Sequence, residues 1–174
     1  MKKILLLSTA IILFSCKSSK STDDKTNQDI NSISSVCSDE GDCAFVVHKD
    51  SSLNILEDTT GQIYPIIEQG ENIVIEFTYA VKGPEGTMDG DYSETVHFEI
   101  SGREDKLNLS NKELSQIKLL FGKHCFCKGE AGYYMVDEGE ILLENKDDSL
   151  YLNLNLVINK VSHKVNNITH RFKI

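Results

Sequence analysis

Tryptophan is absent from this chain of 174 residues, proline occurs twice, and aromatic residues make up only 7%. The absence of tryptophan disfavours a platform on which carbohydrate rings stack. Lysine and arginine number 18 against 27 aspartates and glutamates. The acidic balance argues against nucleic acid and against anionic lipid headgroups as partners, because both carry negative charge.

Catalytic motifs are missing as well. The sequence contains no Gly-x-Ser-x-Gly and no phosphate-binding glycine loop ahead of a helix. Its five histidines, none at metalloprotease spacing, are His48, His97, His124, His163 and His170. His97 and His170 fall on the polar faces of predicted strands, where we expect them to be exposed to solvent. We predict no catalytic residue, no cofactor and no enzymatic activity.

The apolar run near the N-terminus is too short to span a membrane. Ile4 to Phe14 carry no charge and cover eleven residues, whereas a spanning helix needs roughly 20. Lys2 and Lys3 precede the run, and a short basic start followed by a short apolar segment is typical of an export signal. We therefore predict that residues 1–15 are a removable signal peptide.

The end of that run, Leu13-Phe14-Ser15-Cys16, resembles the lipobox of bacterial lipoproteins, although Phe14 stands where a small residue is common. The resemblance implies that Cys16 receives a diacylglycerol, becomes the new N-terminus and is usually acylated again in Gram-negative cells. Two or more acyl chains anchor a protein stably. The alternative is an ordinary secretory signal with a chance cysteine.

Residues 17–36 form a polar stretch rich in Ser, Asp, Thr and Asn that cannot bury enough apolar surface to fold, so we predict a tether. Lys17 directly after Cys16 favours, by resemblance to enterobacterial sorting, the outer membrane. Loss of Lys2 and Lys3 with the signal peptide lowers the net charge from −9 to −11. Residues 37–174 are enough for one domain of ordinary size.

Four further cysteines are Cys37, Cys43, Cys125 and Cys127. An even number in an exported chain predicts disulfides. Cys125 and Cys127 would point to the same face of a strand, where a bond between them closes a tight ring. We therefore favour two bridges from the Cys37/Cys43 segment to the Cys125/Cys127 segment, each worth roughly 4 kcal/mol. A local Cys37–Cys43 bridge is the fallback.

Zinc is the rival interpretation of these cysteines, since four thiolates, or three with His124, could form a tetrahedral site. Their spacing differs from that of the common zinc knuckles, and an exported chain meets an oxidising compartment. A thiol catalyst is also disfavoured, because redox enzymes usually place Cys-x-x-Cys at a helix N-terminus.

Alternation of apolar and polar residues dominates the domain. It is clearest in residues 72–81, 92–100 and 150–158, and it predicts half-buried antiparallel strands. Further strands are predicted at 44–49, 62–68 and 168–174, with Pro65 suiting an edge strand. Strands follow one another at short spacing without intervening helices.

One helix is predicted after Ser110. Ser110 and Glu113 form a capping box, Leu114, Ile117, Leu120 and Phe121 follow at helical spacing, and Gly122 stands at the C-cap position. We therefore predict an all-β antiparallel sandwich of about 8–10 strands with one short helix. A small lipocalin-like β-barrel is the alternative.

The stretch from Gly122 to Tyr134 contains the pattern Cys-x-Cys-x-Gly-x-x-Gly-Tyr-Tyr. Together with the Cys37–Cys43 start and the lipobox, it resembles uncharacterised lipoproteins of Flavobacteria and other Bacteroidetes. The resemblance covers most of the domain and implies a small β domain that carries disulfides. It implies no activity.

Two weak binding candidates remain. Tyr133 and Tyr134 could form a ligand shelf beside a predicted edge strand. Asp89, Asp91 and Glu94 offer oxygens of the kind that calcium prefers, but the twelve-residue loop pattern of a specific calcium site is missing. Solvated acidic turns have the same composition, so we predict no metal site.

The sequence as a whole predicts an envelope lipoprotein held on the membrane by its lipid, used for interaction with an envelope protein or as an accessory module. The alternative is a protein that binds a lipid or another small hydrophobic ligand. An enzyme is the weaker alternative.

Overall fold

Ten antiparallel strands and one short 3₁₀ helix make up the part of the protein that the structure describes. The structure is a computed structural model, and it describes Cys37, residues 40–146 and residues 149–173. In these residues we find no helix with both the length and the apolar character to cross a membrane. The predicted signal peptide, Cys16 and the tether lie outside the described residues.

The strands form two sheets. Their bounds are β1 (Asp42–Glu57), β2 (Ile63–Gln69), β3 (Asn72–Val81), β4 (Tyr92–Ser101), β5 (Lys106–Ser110), β6 (Leu120–His124), β7 (Gly132–Met135), β8 (Gly139–Lys146), β9 (Ser149–Leu156) and β10 (Asn167–Phe172). The larger sheet has the order β2-β1-β3-β4-β6-β7, and the smaller has the order β10-β9-β8-β5. The predicted all-β antiparallel sandwich with one short helix is confirmed.

The hydrophobic core lies between the two sheets, because each contributes the apolar half of its alternating residues. From β3 these are Ile73, Ile75 and Phe77, all buried. From the smaller sheet they are Leu150, Leu152, Leu154 and Leu156 of β9, together with Ile141, Leu143, Ile168 and Phe172. The core is continuous, as expected for a sandwich with alternating strands.

The six-stranded sheet is curled, and its two edge strands, β2 and β7, contact each other. The curl begins at a bulge in β1 between His48 and Ser51, where Asp50 has a φ of 50°. Beyond the bulge β1 leaves β3 and continues paired with β2. The sheet therefore has a concave face on the side away from the smaller sheet, and the strand register places Glu76, Thr95, His97, Gly122 and Tyr133 on it.

The concave face has a small apolar core of its own. Leu53, Val74 and Leu120 are fully buried although they do not belong to the core between the sheets. Glu99 binds the second half of β1, residues 52–57, which lies over this face. Its carboxylate accepts hydrogen bonds from the Leu53 amide at 2.6 Å and from Lys118 Nζ at 2.9 Å.

Several strands match their predicted positions. β3 has the predicted bounds, and β2 is an edge strand with Pro65 inside it. β5 was not predicted: Leu107 and Leu109 alternate with polar residues, but the segment covers only five residues. The strand predicted at 44–49 is part of one long strand, β1, which continues to Glu57.

The predicted helix is wrong in its second half. The capping box is present, since Ser110 N donates to Glu113 Oε2 at 3.1 Å. The 3₁₀ helix spans Asn111–Ile117 and ends at Lys118, whose φ of 53° is left-handed. Leu120 and the residues after it form β6, because pairing with β4 and β7 outweighs local helical spacing.

Gly122 is therefore not a helix cap. It lies in the middle of the sheet, where a Cβ atom would come within 2.5 Å of Thr95 Oγ1 and 2.6 Å of the Tyr133 ring. Glycine is needed here for the close approach of neighbouring side chains.

Candidate functional site

Five strands bring titratable side chains together on the concave face. His48 comes from β1, Glu76 from β3, His97 from β4, His124 from β6 and Tyr133 from β7. Glu76 and His97 are direct cross-strand partners, and Gly122, next to His124 on the same face, pairs with Tyr133. Residues opposite each other on neighbouring strands share a face, which explains why residues distant in sequence meet here. We call these five residues the histidine cluster.

His48 and Glu76 form the accessible part of the cluster. His48 Nε2 lies 3.1 Å from Glu76 Oε2, and both side chains are 30% exposed. The hydrogen bond from His48 lowers the pKa of the Glu76 carboxyl, and the nearby imidazole of His97 adds to this effect. Glu76 is therefore an ionised acceptor at neutral pH.

His97 forms the buried part of the cluster. It is 5% exposed, and its Nδ1 has no hydrogen-bond partner within the described part of the chain. Burial lowers the pKa of His97, although Glu76 opposes the shift. In a neutral imidazole the Nδ1 nitrogen is a donor or an acceptor, depending on the tautomer.

The prediction that His97 and His170 are exposed is wrong. His97 is enclosed by the curl of the sheet, and His170 is 6% exposed with its ring stacked on Phe45 at 3.8 Å. Alternation correctly separates the two faces of a strand, but it does not show that the second face is also covered.

His124 and Tyr133 close the cluster toward β7. Their ring centroids are 5.2 Å apart, and His124 Nε2 lies 3.3 Å from Thr95 Oγ1. Burial lowers the pKa of His124 and raises the pKa of Tyr133. Both groups are therefore neutral at neutral pH.

The two predicted ligand tyrosines do not act together. Tyr133 faces His97 and His124, whereas Tyr134 packs against the main core and donates its hydroxyl to Glu130 O at 2.8 Å. They are neighbours on β7, and neighbours on a strand point to opposite faces. Tyr133 alone belongs to the candidate site.

The calcium candidates are also separated. Asp91 pairs with Lys82 at 2.9 Å, and Asp89 lies in the exposed loop before it. Glu94 is completely buried on the other side of the sheet, where it accepts hydrogen bonds from the amides of Lys164 and Val165. Across the described residues, no group of three or more metal-ligating side chains is positioned to hold an ion.

The cysteines lie at disulfide distance in local pairs. Cys37 and Cys43 have Cα atoms 5.8 Å apart, and Cys125 and Cys127 have Cα atoms 5.2 Å apart. The favoured long-range bridges are therefore wrong, and the fallback Cys37–Cys43 pair is present.

Sheet order explains this difference. Cys43 is the second residue of β1, and β3 and β4 separate β1 from β6, which ends next to Cys125. Three strand spacings are about 14 Å, far beyond the reach of one bridge. Cys125 and Cys127 lie in the turn after β6 rather than on a strand, so their side chains can turn toward each other.

A cleft of about 480 Å³ lies next to the cluster, at the end of the sheet where the β3–β4 and β6–β7 loops meet. Ala80 and Ser93, which are cross-strand partners, line it together with His124 and Phe126. Acidic side chains on its wall are Asp42, Asp89 and Asp91. His124 therefore belongs to both the cleft and the cluster.

No protein-family model matches the chain, and no match was found among curated proteins or solved structures. Its function therefore has to be argued from the site itself. His48, Glu76 and His97 were not singled out together from the sequence. The only available clue was the shared polar face of two alternating strands, since their cross-strand register is a tertiary property.

Proposed function

We propose that the protein is a lipid-anchored module of the cell envelope that binds a partner protein at the histidine cluster and carries out no catalysis. The lipobox at Cys16 and the basic, apolar N-terminus support the anchor and an outer-membrane location. The acidic composition supports a partner other than nucleic acid.

The observation that carries the proposal is the His48–Glu76 pair, whose side chains are each 30% exposed on the concave face beside buried His97. A partly exposed imidazole and carboxylate can donate to and accept from the polar groups of a bound protein. Met135, which is 39% exposed, lies at the edge of the same face and adds an apolar contact. A groove that combines such groups suits a protein segment with both polar and apolar side chains.

A photoreactive residue at Met135 tests the site in intact cells. Asn108 on the smaller sheet is exposed and faces away from the cluster, so the same residue placed there is the matched control. We expect a specific protein adduct at position 135, absent at position 108 and reduced by the His48→Ala change. Equal adducts at both positions would contradict the proposed site.

Cys16→Ser tests the anchor separately. We expect the wild-type protein to incorporate labelled palmitate and to fractionate with the outer membrane, and the variant to lose both properties. Palmitate labelling that persists in the variant would show that Cys16 is not the acylated residue.

A second candidate function, binding of a small lipid or hydrophobic molecule, is favoured by the cleft of about 480 Å³. This volume lies within the usual range of ligand sites, roughly 300–1,000 Å³. Native mass spectrometry of the protein extracted in mild detergent would show a bound small molecule, and Ser93→Phe, which fills the cleft, should abolish its binding.

A further inference from the structure

We infer that the end of the domain that carries Phe126 and Met88 rests on a zwitterionic phospholipid bilayer, the membrane that holds the lipid on Cys16. The inference depends on the proposed anchor and extends it, because it identifies the protein surface that meets the membrane.

The first observation is the exposure of two large apolar side chains. Met88 is 99% exposed and Phe126 is 86% exposed, whereas no other large apolar side chain in the described residues exceeds 46%. Phe126 is presented at the tip of the turn between Cys125 and Cys127. Exposed aromatic and thioether side chains of this kind are suited to burial in the interfacial region of a membrane.

The second observation is that both side chains lie at the same end of the molecule. Phe126 and Asp89, the residue after Met88, line the same cleft. Met88 and Phe126 therefore belong to two loops that meet at this cleft. Two apolar points on neighbouring loops can touch one flat surface at the same time.

The third observation is the place where the chain enters the domain. Cys43, near the start of β1, pairs with Tyr79 near the end of β3. Tyr79 pairs with Glu94 of β4, and Glu94 pairs with Lys123, one residue before the end of β6. The chain therefore enters at the end that carries the two loops. The segment from Cys16 to Cys37 reaches at most about 70 Å when fully extended, which is long enough for this end to meet the bilayer that holds the lipid.

Charge decides the kind of bilayer. Asp42, Asp89 and Asp91 face the cleft with Lys82, which pairs with Asp91, and exposed Lys128 lies beside Phe126. The chain as a whole has a net charge of −9. Anionic headgroups would be repelled, while the ammonium group of a zwitterionic headgroup is complementary to these carboxylates.

The absence of tryptophan makes a direct test possible, because Phe126→Trp introduces the only tryptophan of the chain. The lipidated full-length mature protein is reconstituted into phosphatidylcholine vesicles whose acyl chains carry bromine, a short-range quencher. Met88→Trp probes the second loop. Arg103→Trp is the matched control, since Arg103 is exposed beyond the far end of β4, about 30 Å away.

We expect the Phe126→Trp and Met88→Trp proteins to emit at shorter wavelength in vesicles and to lose about half their intensity to brominated chains, as for side chains buried several ångströms deep. The Arg103→Trp protein should keep a water-like spectrum and lose only a minor part of its intensity. Water-like emission from the first two variants, or equal quenching in all three, would overturn the inference. The inference would also be overturned if the indole of Phe126→Trp were shielded from water only after envelope protein is added.

Flotation of the vesicles separates this inference from the proposed function. Protein that does not float with the vesicles shows that the lipid anchor has failed. Phe126→Trp protein that floats while its indole stays in water retains the anchor and contradicts only the membrane-facing surface. Thermal melts of the three variants confirm that each is folded.

Discussion

Gly122 shows how a single residue shapes the site. It lies between Thr95 and Tyr133 on the concave face, with no space for a side chain of its own. Its missing Cβ lets the Tyr133 ring reach His124, at 5.2 Å between centroids. The arrangement of the histidine cluster therefore depends on a residue that carries no functional group.

Gly122→Ala should destabilise the domain by about 1–3 kcal/mol, because the added methyl group overlaps Thr95 Oγ1 and the Tyr133 ring. Gly102→Ala is the control, since a Cβ there meets nothing closer than 3.9 Å. Urea unfolding measures both. A Gly122→Ala protein as stable as the wild type would show that the neighbours can move apart freely.

The cysteine pairs make a second residue-scale prediction. Trypsin should release Cys37 with Cys43 in one peptide, residues 26–49, and Cys125 with Cys127 in another, residues 124–128. Local pairing predicts that each non-reduced peptide is lighter by two hydrogens, as measured by mass spectrometry. Two peptides joined to each other would indicate long-range bridges instead.

At the scale of elements, the position of the second half of β1 over the concave face depends on Glu99. Burial alone would raise the pKa of this carboxyl, but hydrogen bonds from the Leu53 amide, Lys118 and Asn72 outweigh burial and lower the pKa. One carboxylate on β4 thus joins β1, the start of β3 and the residue that ends the 3₁₀ helix. Such networks are costly to leave incomplete.

We expect Glu99→Gln to cost about 1–3 kcal/mol, because the amide accepts fewer hydrogen bonds and leaves Lys118 without its charged partner. Glu85→Gln in the exposed β3–β4 loop is the matched control and should change stability by less than about 0.5 kcal/mol. In the Glu99→Gln protein, the backbone amides of residues 52–57 should exchange hydrogen faster than in the wild type. Unchanged exchange there would exclude Glu99 as the residue that holds β1.

At the scale of the whole molecule, burial of several histidines couples stability to pH. Burial lowers the pKa of His97, His124 and His170. The folded protein therefore binds fewer protons at these sites than the unfolded chain does. Their contribution is complete above the unfolded pKa of about 6.5 and is lost as pH falls below it toward the folded values.

The melting temperature should consequently fall between pH 7 and pH 5, by on the order of 5 °C for a domain of this size. Differential scanning calorimetry measures it, and His97→Gln should reduce the slope because it removes one of the three groups. A melting temperature that is flat or rises over this range would show that the buried imidazoles do not control stability.

Alternating apolar residues were sufficient to predict the all-β fold and the bounds of β3, because alternation is a local consequence of strand geometry. The edge position of β2 was predicted from Pro65, which cannot donate a backbone hydrogen bond to a neighbouring strand. The capping box at Ser110 was likewise readable, since its two residues are three apart. The predicted lipid on Cys16 also comes from the sequence alone, and it remains a prediction.

Only the tertiary structure decided which strands are neighbours, and the candidate site follows from that order. His48, Glu76, His97, His124 and Tyr133 lie on five strands of the curled sheet, and no short-range pattern connects them. The same order keeps Cys43 away from Cys125 and turns Leu120–His124 from a predicted helix into β6. Strand pairing joins residues far apart in sequence, so local spacing could not determine these features.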